Sequence, residues 1–71
     1  MRRLLIVGAG GHGRSVAEAA LASGAYAVVG FLDDAFPGVS SVWGMPVLGK
    51  VADYSAFRRD VDCCLVATGN N

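Results

Sequence analysis

Apolar residues along this chain fall into short unbroken runs separated by glycine, with few long periodic stripes. Leu4, Leu5, Ile6 and Val7 form the first run, which stops at Gly8. A continuous apolar run of this length, bounded by a glycine, predicts a strand covered on both faces. Residues 14–22 are rich in alanine and close at Gly24. They predict a helix, because glycine tolerates the left-handed conformation in which helices often end. Val16, Ala19, Ala20 and Ser23 share a narrow helical face of small residues, suited to close packing on a sheet. Ser15 and Glu18 have capping-box spacing, which would start the helix late. The glycines upstream instead place its start near Gly11.

Residues 27–32 predict a second buried strand, ending at Asp33 and Asp34. Residues 35–43, with Pro37 and Gly38, read as a loop. Residues 45–48 form a short extended piece near a sheet edge, since Pro46 cannot donate a ladder hydrogen bond. Residues 50–57 predict a short helix with Val51 and Tyr54 on one face. Residues 62–67 predict a third strand, followed by Thr68, Gly69, Asn70 and Asn71. Such alternation predicts an α/β class with a short parallel sheet and right-handed crossovers. The expected fold is a Rossmann-like βαβαβ half, in two or three layers, forming a single domain over residues 1–71. It is expected to be incomplete at the carboxyl end, where a further crossover helix would shield Leu65 and Val66.

Composition supports a packed domain: 54% of the 71 residues are hydrophobic and 17% charged, with a mean hydropathy of +0.47. Disordered chains have the opposite balance. A domain this small buries only about 60% of the surface its unfolded chain exposes. Six basic residues offset six acidic ones, so no basic field draws in nucleic acid or an anionic membrane. Arg2–Arg3 and Arg58–Arg59 read as solvated ends of elements. Cys63 and Cys64 are adjacent and would point to opposite faces of a strand, reading as small buried thiols in a reducing compartment. With a single histidine they make no zinc set, and no metal is expected. The apolar run after Met1-Arg2-Arg3 is shorter than the roughly 7–15 residues of a secretory core and the roughly 20 of a membrane span. The expected location is cytoplasmic.

The chemistry concentrates in Gly8-x-Gly10-x-x-Gly13, which follows the first strand and opens the helix. Gly8 permits the sharp turn, Gly10 lets backbone approach a phosphate, and Gly13 lets the helix sit close to the strand. The helix N-terminus then offers N–H groups and partial positive charge to a diphosphate. With ten glycines in the chain, the bland alternative is a glycine-rich turn with no ligand. His12 lies among these amides and reads as a positioning group beside the phosphates, ahead of general base or metal ligand. Asp33, twenty residues beyond Gly13, stands where such folds place the acid that accepts from a ribose or base. Asp34 is a candidate second acceptor. The alternative for both is a polar strand-end turn. Residues 44–50 match seven positions of a P-loop, but Val51 stands where Ser or Thr must hold magnesium, and Pro46, Val47 and Leu48 suit no phosphate-wrapping loop. Gly69 follows the third strand at the same edge as the glycine loop.

Residues 4–18, Leu-Leu-Ile-Val-Gly-Ala-Gly-Gly-His-Gly-Arg-Ser-Val-Ala-Glu, resemble the opening of the sialic acid O-acetyltransferase and bacillosamine N-acetyltransferase family. Three further strings agree in order: Val-Gly-Phe-Leu-Asp-Asp at 29–34, Gly-Met-Pro-Val-Leu-Gly at 44–49 and Ala-Thr-Gly-Asn-Asn at 67–71. The resemblance implies an N-terminal nucleotide-sugar-binding domain. In the family a left-handed β-helix of hexapeptide repeats follows, which trimerises, binds acetyl-CoA and supplies the catalytic histidine. Carried over by motif, Gly10, Gly11 and His12 would approach the diphosphate of a UDP-sugar, and Asp33 and Asp34 the uridine. Gly69 would line the crevice floor, with Asn70 beside it. The 71 residues contain no hexapeptide run. The chain alone is therefore expected to bind a nucleotide sugar without catalysing acetyl transfer, acetyl-CoA belonging to the full-length enzyme of surface polysaccharide or glycoprotein synthesis. The alternative is the dinucleotide-binding half of an NAD-dependent oxidoreductase, and a third class is a non-catalytic interaction fragment.

Overall fold

The computed structural model describes residues 1–67. β1 (Arg2–Val7) leads through a glycine loop into α1 (Gly11–Ser23), then β2 (Tyr26–Leu32). A hairpin of β3 (Ser41–Val42) and β4 (Met45–Gly49) follows. A helical passage then runs as a 3-10 turn (Val51–Asp53), α2 (Tyr54–Phe57) and a second 3-10 turn (Arg58–Asp60), ending in β5 (Cys63–Val66). The five strands make one sheet in the order β3-β4-β2-β1-β5. β1 pairs in parallel with β2 and β5, β2 in parallel with β4, and only β3 runs antiparallel, to β4.

Strand alternation divides the core between the two faces of the sheet. Leu4, Ile6, Phe31 and Val47 pack beneath Ala17 and Ala20 of α1. Leu5, Val7 and Leu32 pack beneath Val51 and Phe57 of the helical passage and Val61 just after it. The Rossmann-like half is thus three-layered. Cys63 joins the first cluster and Cys64 the second. Both are free thiols on opposite faces, as adjacent strand residues must be. Burial pushes the Cys64 thiol above its ordinary range, and the neighbouring Cys63 sulfur adds to the effect.

Helix α1 starts at Gly11 and stops at Gly24, whose φ of 73° is left-handed. Ser15 does not cap it; its hydroxyl donates to the Gly11 carbonyl at 3.2 Å, one turn back. The buried stripe differs from the expected one. Gly13, Ala17 and Ala20 are buried and Val16 half-buried, whereas Ala19 and Ser23 are exposed. The helix touches the sheet most closely at Gly13, and the line of contact runs one turn at a time from there.

Three features depart from the sequence reading. The expected loop contains β3, joined to β4 by a two-residue turn at Trp43 and Gly44 with φ of 51° and 79°. These are the signs of a type I′ hairpin. β4 lies near the sheet edge, as Pro46 predicts, one short strand inside it. In β2 the register skips from Leu4↔Val28 to Leu5↔Gly30, a bulge. A Cβ on Gly30 would lie 2.7 Å from the Pro46 carbonyl oxygen, so glycine is what lets β4 close onto β2. The helix expected over residues 50–57 is broken into 3-10 and α pieces and extends to Asp60. At the other edge Leu65 and Val66 are 47% and 72% exposed, in keeping with the expected poor shielding.

Candidate functional site

The chain leaves β1 across the α1 face to reach β2, and returns from β4 across the opposite face to reach β5. β1 and β5 are neighbours, so their carboxyl ends flank the point at which the connections diverge. Open α/β sheets place ligand crevices at such a point. Four segments converge on this edge. Gly8 donates to the Leu32 carbonyl at 2.6 Å, Asp33 N–H to Gly49 at 2.9 Å, and Ala67 N–H to Val7 at 2.7 Å. The glycine loop, Asp33, the start of the helical passage and the end of β5 are therefore held side by side.

The glycines of the loop divide into two kinds. Gly8 has φ 108°, a conformation that side chains disfavour. A Cβ on Gly13 would collide with the Gly8 carbonyl, 2.8 Å from its carbon, so the helix can sit on the strand end only without one. These two glycines are required by the fold. Gly10 and Gly11 are not: a Cβ on either would meet nothing within 4 Å, and Gly10 has an ordinary extended backbone (φ −75°, ψ −164°). Both are exposed.

The first helical hydrogen bond is donated by Arg14 to Gly10 at 2.9 Å. The N–H groups of Gly11, His12 and Gly13 thus precede the helix's own ladder, at the positive end of its dipole. No side chain caps them and no acid stands in the first turn. His12 is exposed at the second helical position, beside these amides, where it was expected.

The two acids occupy the expected edge but already have partners. Oδ2 of Asp33 accepts from Ala9 N–H at 2.7 Å, and Oδ1 from Ala35 N–H at 2.8 Å. The second contact is the Asx-turn that the strand-end alternative anticipates. Oδ1 of Asp34 accepts from Val51 N–H at 3.1 Å, tying the end of β2 to the first turn after β4. One lone pair on each engaged oxygen is left to a further donor. Gly69 and Asn70 lie outside the described residues. Residues 44–50, with their partial P-loop spacing, hold the β3–β4 turn, β4 and Lys50 rather than a phosphate loop.

Two elements of this edge went unnoticed in the sequence. One is the Ala9 N–H, whose position only the fold defines. The other is an apolar cavity of about 380 Å³ walled by Val7, Val51, Tyr54, Cys64 and Val66. The shared face of Val51 and Tyr54 was its one visible trace. Among the described residues no three His, Cys, Asp or Glu side chains cluster to hold a metal ion. No helix there is long and apolar enough to cross a membrane.

Comparison with known proteins agrees with this fold. Residues 3–71 match the PglD N-terminal domain family. A solved acetyltransferase domain of PglB from Neisseria gonorrhoeae, in complex with acetyl coenzyme A, is 42% identical, with a TM-score of 0.80 over 97% of this chain. Another structure of the same domain is 39% identical, with a TM-score of 0.73 over 99%. The present chain spans 33% and 34% of those two chains. No curated protein matches it.

Proposed function

The chain belongs to the PglD N-terminal domain family, and we propose that it is the nucleotide-sugar-binding domain of a sugar acetyltransferase. Its ligand is a UDP-linked amino sugar. The observation that carries this reading is the division of the glycines. A Cβ on Gly10 or Gly11 would meet nothing within 4 Å, so internal packing leaves both positions free, which is what a surface reserved for an external group requires. Their position directs that group to the helix N-terminus, where the amides of Gly11, His12 and Gly13 favour an anion. The diphosphate takes this position, with the His12 imidazole beside it. The nucleoside extends toward Asp33 and Asp34, whose remaining lone pairs accept from its hydroxyl or base N–H groups.

Acetyl-CoA belongs, in this proposal, to the longer protein. The solved PglB domain with acetyl coenzyme A is about three times the length of this chain. The present residues hold and orient the sugar nucleotide, while a hexapeptide-repeat β-helix in a trimer supplies acetyl transfer for surface polysaccharide or glycoprotein synthesis, in the cytoplasm. Calorimetric titration with UDP-N-acetylglucosamine, UDP and NADH tests the reading. The two uridine ligands are expected to bind and NADH is not. Binding of NADH without UDP would overturn it in favour of a dinucleotide-binding half, and binding of none would favour an interaction domain.

A further inference from the structure

We infer that Asp33 is a positioning residue for the phosphate loop: its carboxylate presents the loop to the anion through the Ala9 N–H. The inference deepens the nucleotide-sugar reading and rests on it for the identity of the ligand.

Asp33 stands at the end of β2 and Ala9 in the loop after β1, 24 residues apart in sequence, yet Oδ2 and the Ala9 N–H meet at 2.7 Å. Ala9 is the one residue between Gly8 and Gly10 with a side chain, and that side chain is buried in the α1-side cluster. Its methyl and its N–H are thus held by different parts of the sheet. Next to it Gly10 and Gly11 carry no side chain to pack, and their carbonyls are held from the helix side, by Arg14 N–H at 2.9 Å and the Ser15 hydroxyl at 3.2 Å. Glycine backbone has more freedom to lose than any other, so the loop's readiness for a ligand depends on its anchors.

The other oxygen of Asp33 is held by Ala35 N–H at 2.8 Å, which fixes the carboxylate's rotation and aims Oδ2 at the loop. A carboxylate accepting from two backbone N–H groups makes charge-assisted bonds, stronger than neutral ones. Asp34 offers an internal comparison. It is the next residue at the same edge and also accepts from a backbone N–H, but that of Val51, so it holds the far side of the crevice and not the loop. An acid serving only as a nucleoside acceptor would leave the loop unchanged on removal. One that anchors the loop would alter phosphate binding even with a ligand that has no nucleoside.

The test uses the whole chain, labelled with nitrogen-15, titrated with inorganic pyrophosphate, UDP and uridine, as wild type, Asp33→Ala, Asp33→Asn and Asp34→Ala. Asp33→Ala is expected to weaken pyrophosphate and UDP about tenfold or more, the ratio set by one lost hydrogen bond to a charged group. Asp34→Ala is expected to leave pyrophosphate unchanged. Asp33→Asn, whose amide offers one acceptor in place of two, falls between and covers the case in which the alanine variant does not fold. Without ligand, the amide resonances of Ala9, Gly10 and Gly11 should broaden or shift in the Asp33 variants and hold in Asp34→Ala. The inference is overturned if the folded Asp33 variants keep pyrophosphate affinity, or if the loop resonances of the free protein do not move. Should wild type bind none of the three ligands, the nucleotide-sugar reading fails by itself, and the resonances of the free variants still decide whether Asp33 holds the loop.

Discussion

Replacing Gly11 with alanine should make the domain more stable and a poorer binder at once. Gly11 is the first residue of α1, and a Cβ there would meet nothing within 4 Å. Alanine at a position whose backbone it can adopt stabilises by about 0.4–1 kcal/mol, chiefly by restricting the unfolded chain. For a domain of this size each kcal/mol moves the midpoint by about 4–8 °C, so a rise of about 2–8 °C is expected. The same methyl would occupy open space at the helix N-terminus, where the proposed diphosphate approaches the N–H groups. Lengthening those contacts at a charged ligand should cost about tenfold or more in affinity, equal to about 1.4 kcal/mol or above. Circular dichroism melts give the first quantity and calorimetry with UDP the second. A lowered midpoint would refute the claim that the fold makes no demand on this glycine. An unchanged UDP affinity with a raised midpoint would refute the claim that a ligand does.

Gly13→Ala should behave in the opposite way: backbone meets backbone at Gly8, and denaturant melts should show a loss of about 1–3 kcal/mol or more. Gly30→Ala should cost about as much, since Pro46 and Leu48 close on the same point, and the β2–β4 amides should lose hydrogen-exchange protection while those of β1–β5 keep theirs. The raised pKa of Cys64 means that the folded state holds the thiol proton more tightly than the unfolded state, whose ordinary value is 9.0. Its contribution is present in full below that value and is lost as pH rises through the folded pKa. Urea midpoints should therefore fall on the alkaline side, and Cys64→Ala should flatten that fall; an equal slope in the variant would remove Cys64 as its source.

The elements carried by uninterrupted apolar runs were legible because their signal is local. Leu4 to Val7 needs cover on both faces whatever lies elsewhere, and Gly24 can end a helix with no partner. Features set by distant segments were not legible in this way. Gly30 is an ordinary apolar-run residue until β4 closes against it, and nothing near Trp43 announces a type I′ turn, for which Asn-Gly is the usual signature. The site divides along the same line. The placing of Gly8, Gly13, Asp33 and Asp34 followed from spacing. That Asp33 holds Ala9 depends on two loops meeting across 24 residues, and no spacing rule within either loop contains it.

The order β3-β4-β2-β1-β5 also sets a schedule for synthesis. β1 emerges first from the ribosome, yet it lies between β2 and β5, and its pairing with β5 is clamped by Asp62 accepting from Arg3 N–H across 59 residues. Closing that span costs about 0.8 kcal/mol more than the 24-residue span that joins Arg2 to Tyr26, by the logarithmic dependence of loop closure on length. The β1–α1–β2 unit can therefore assemble while translation continues, but one side of its first strand stays open until Val66 has left the tunnel. A nascent chain stalled before that point would display the Leu5 and Val7 backbone as an unpaired edge, open to chaperones or to a neighbouring nascent chain.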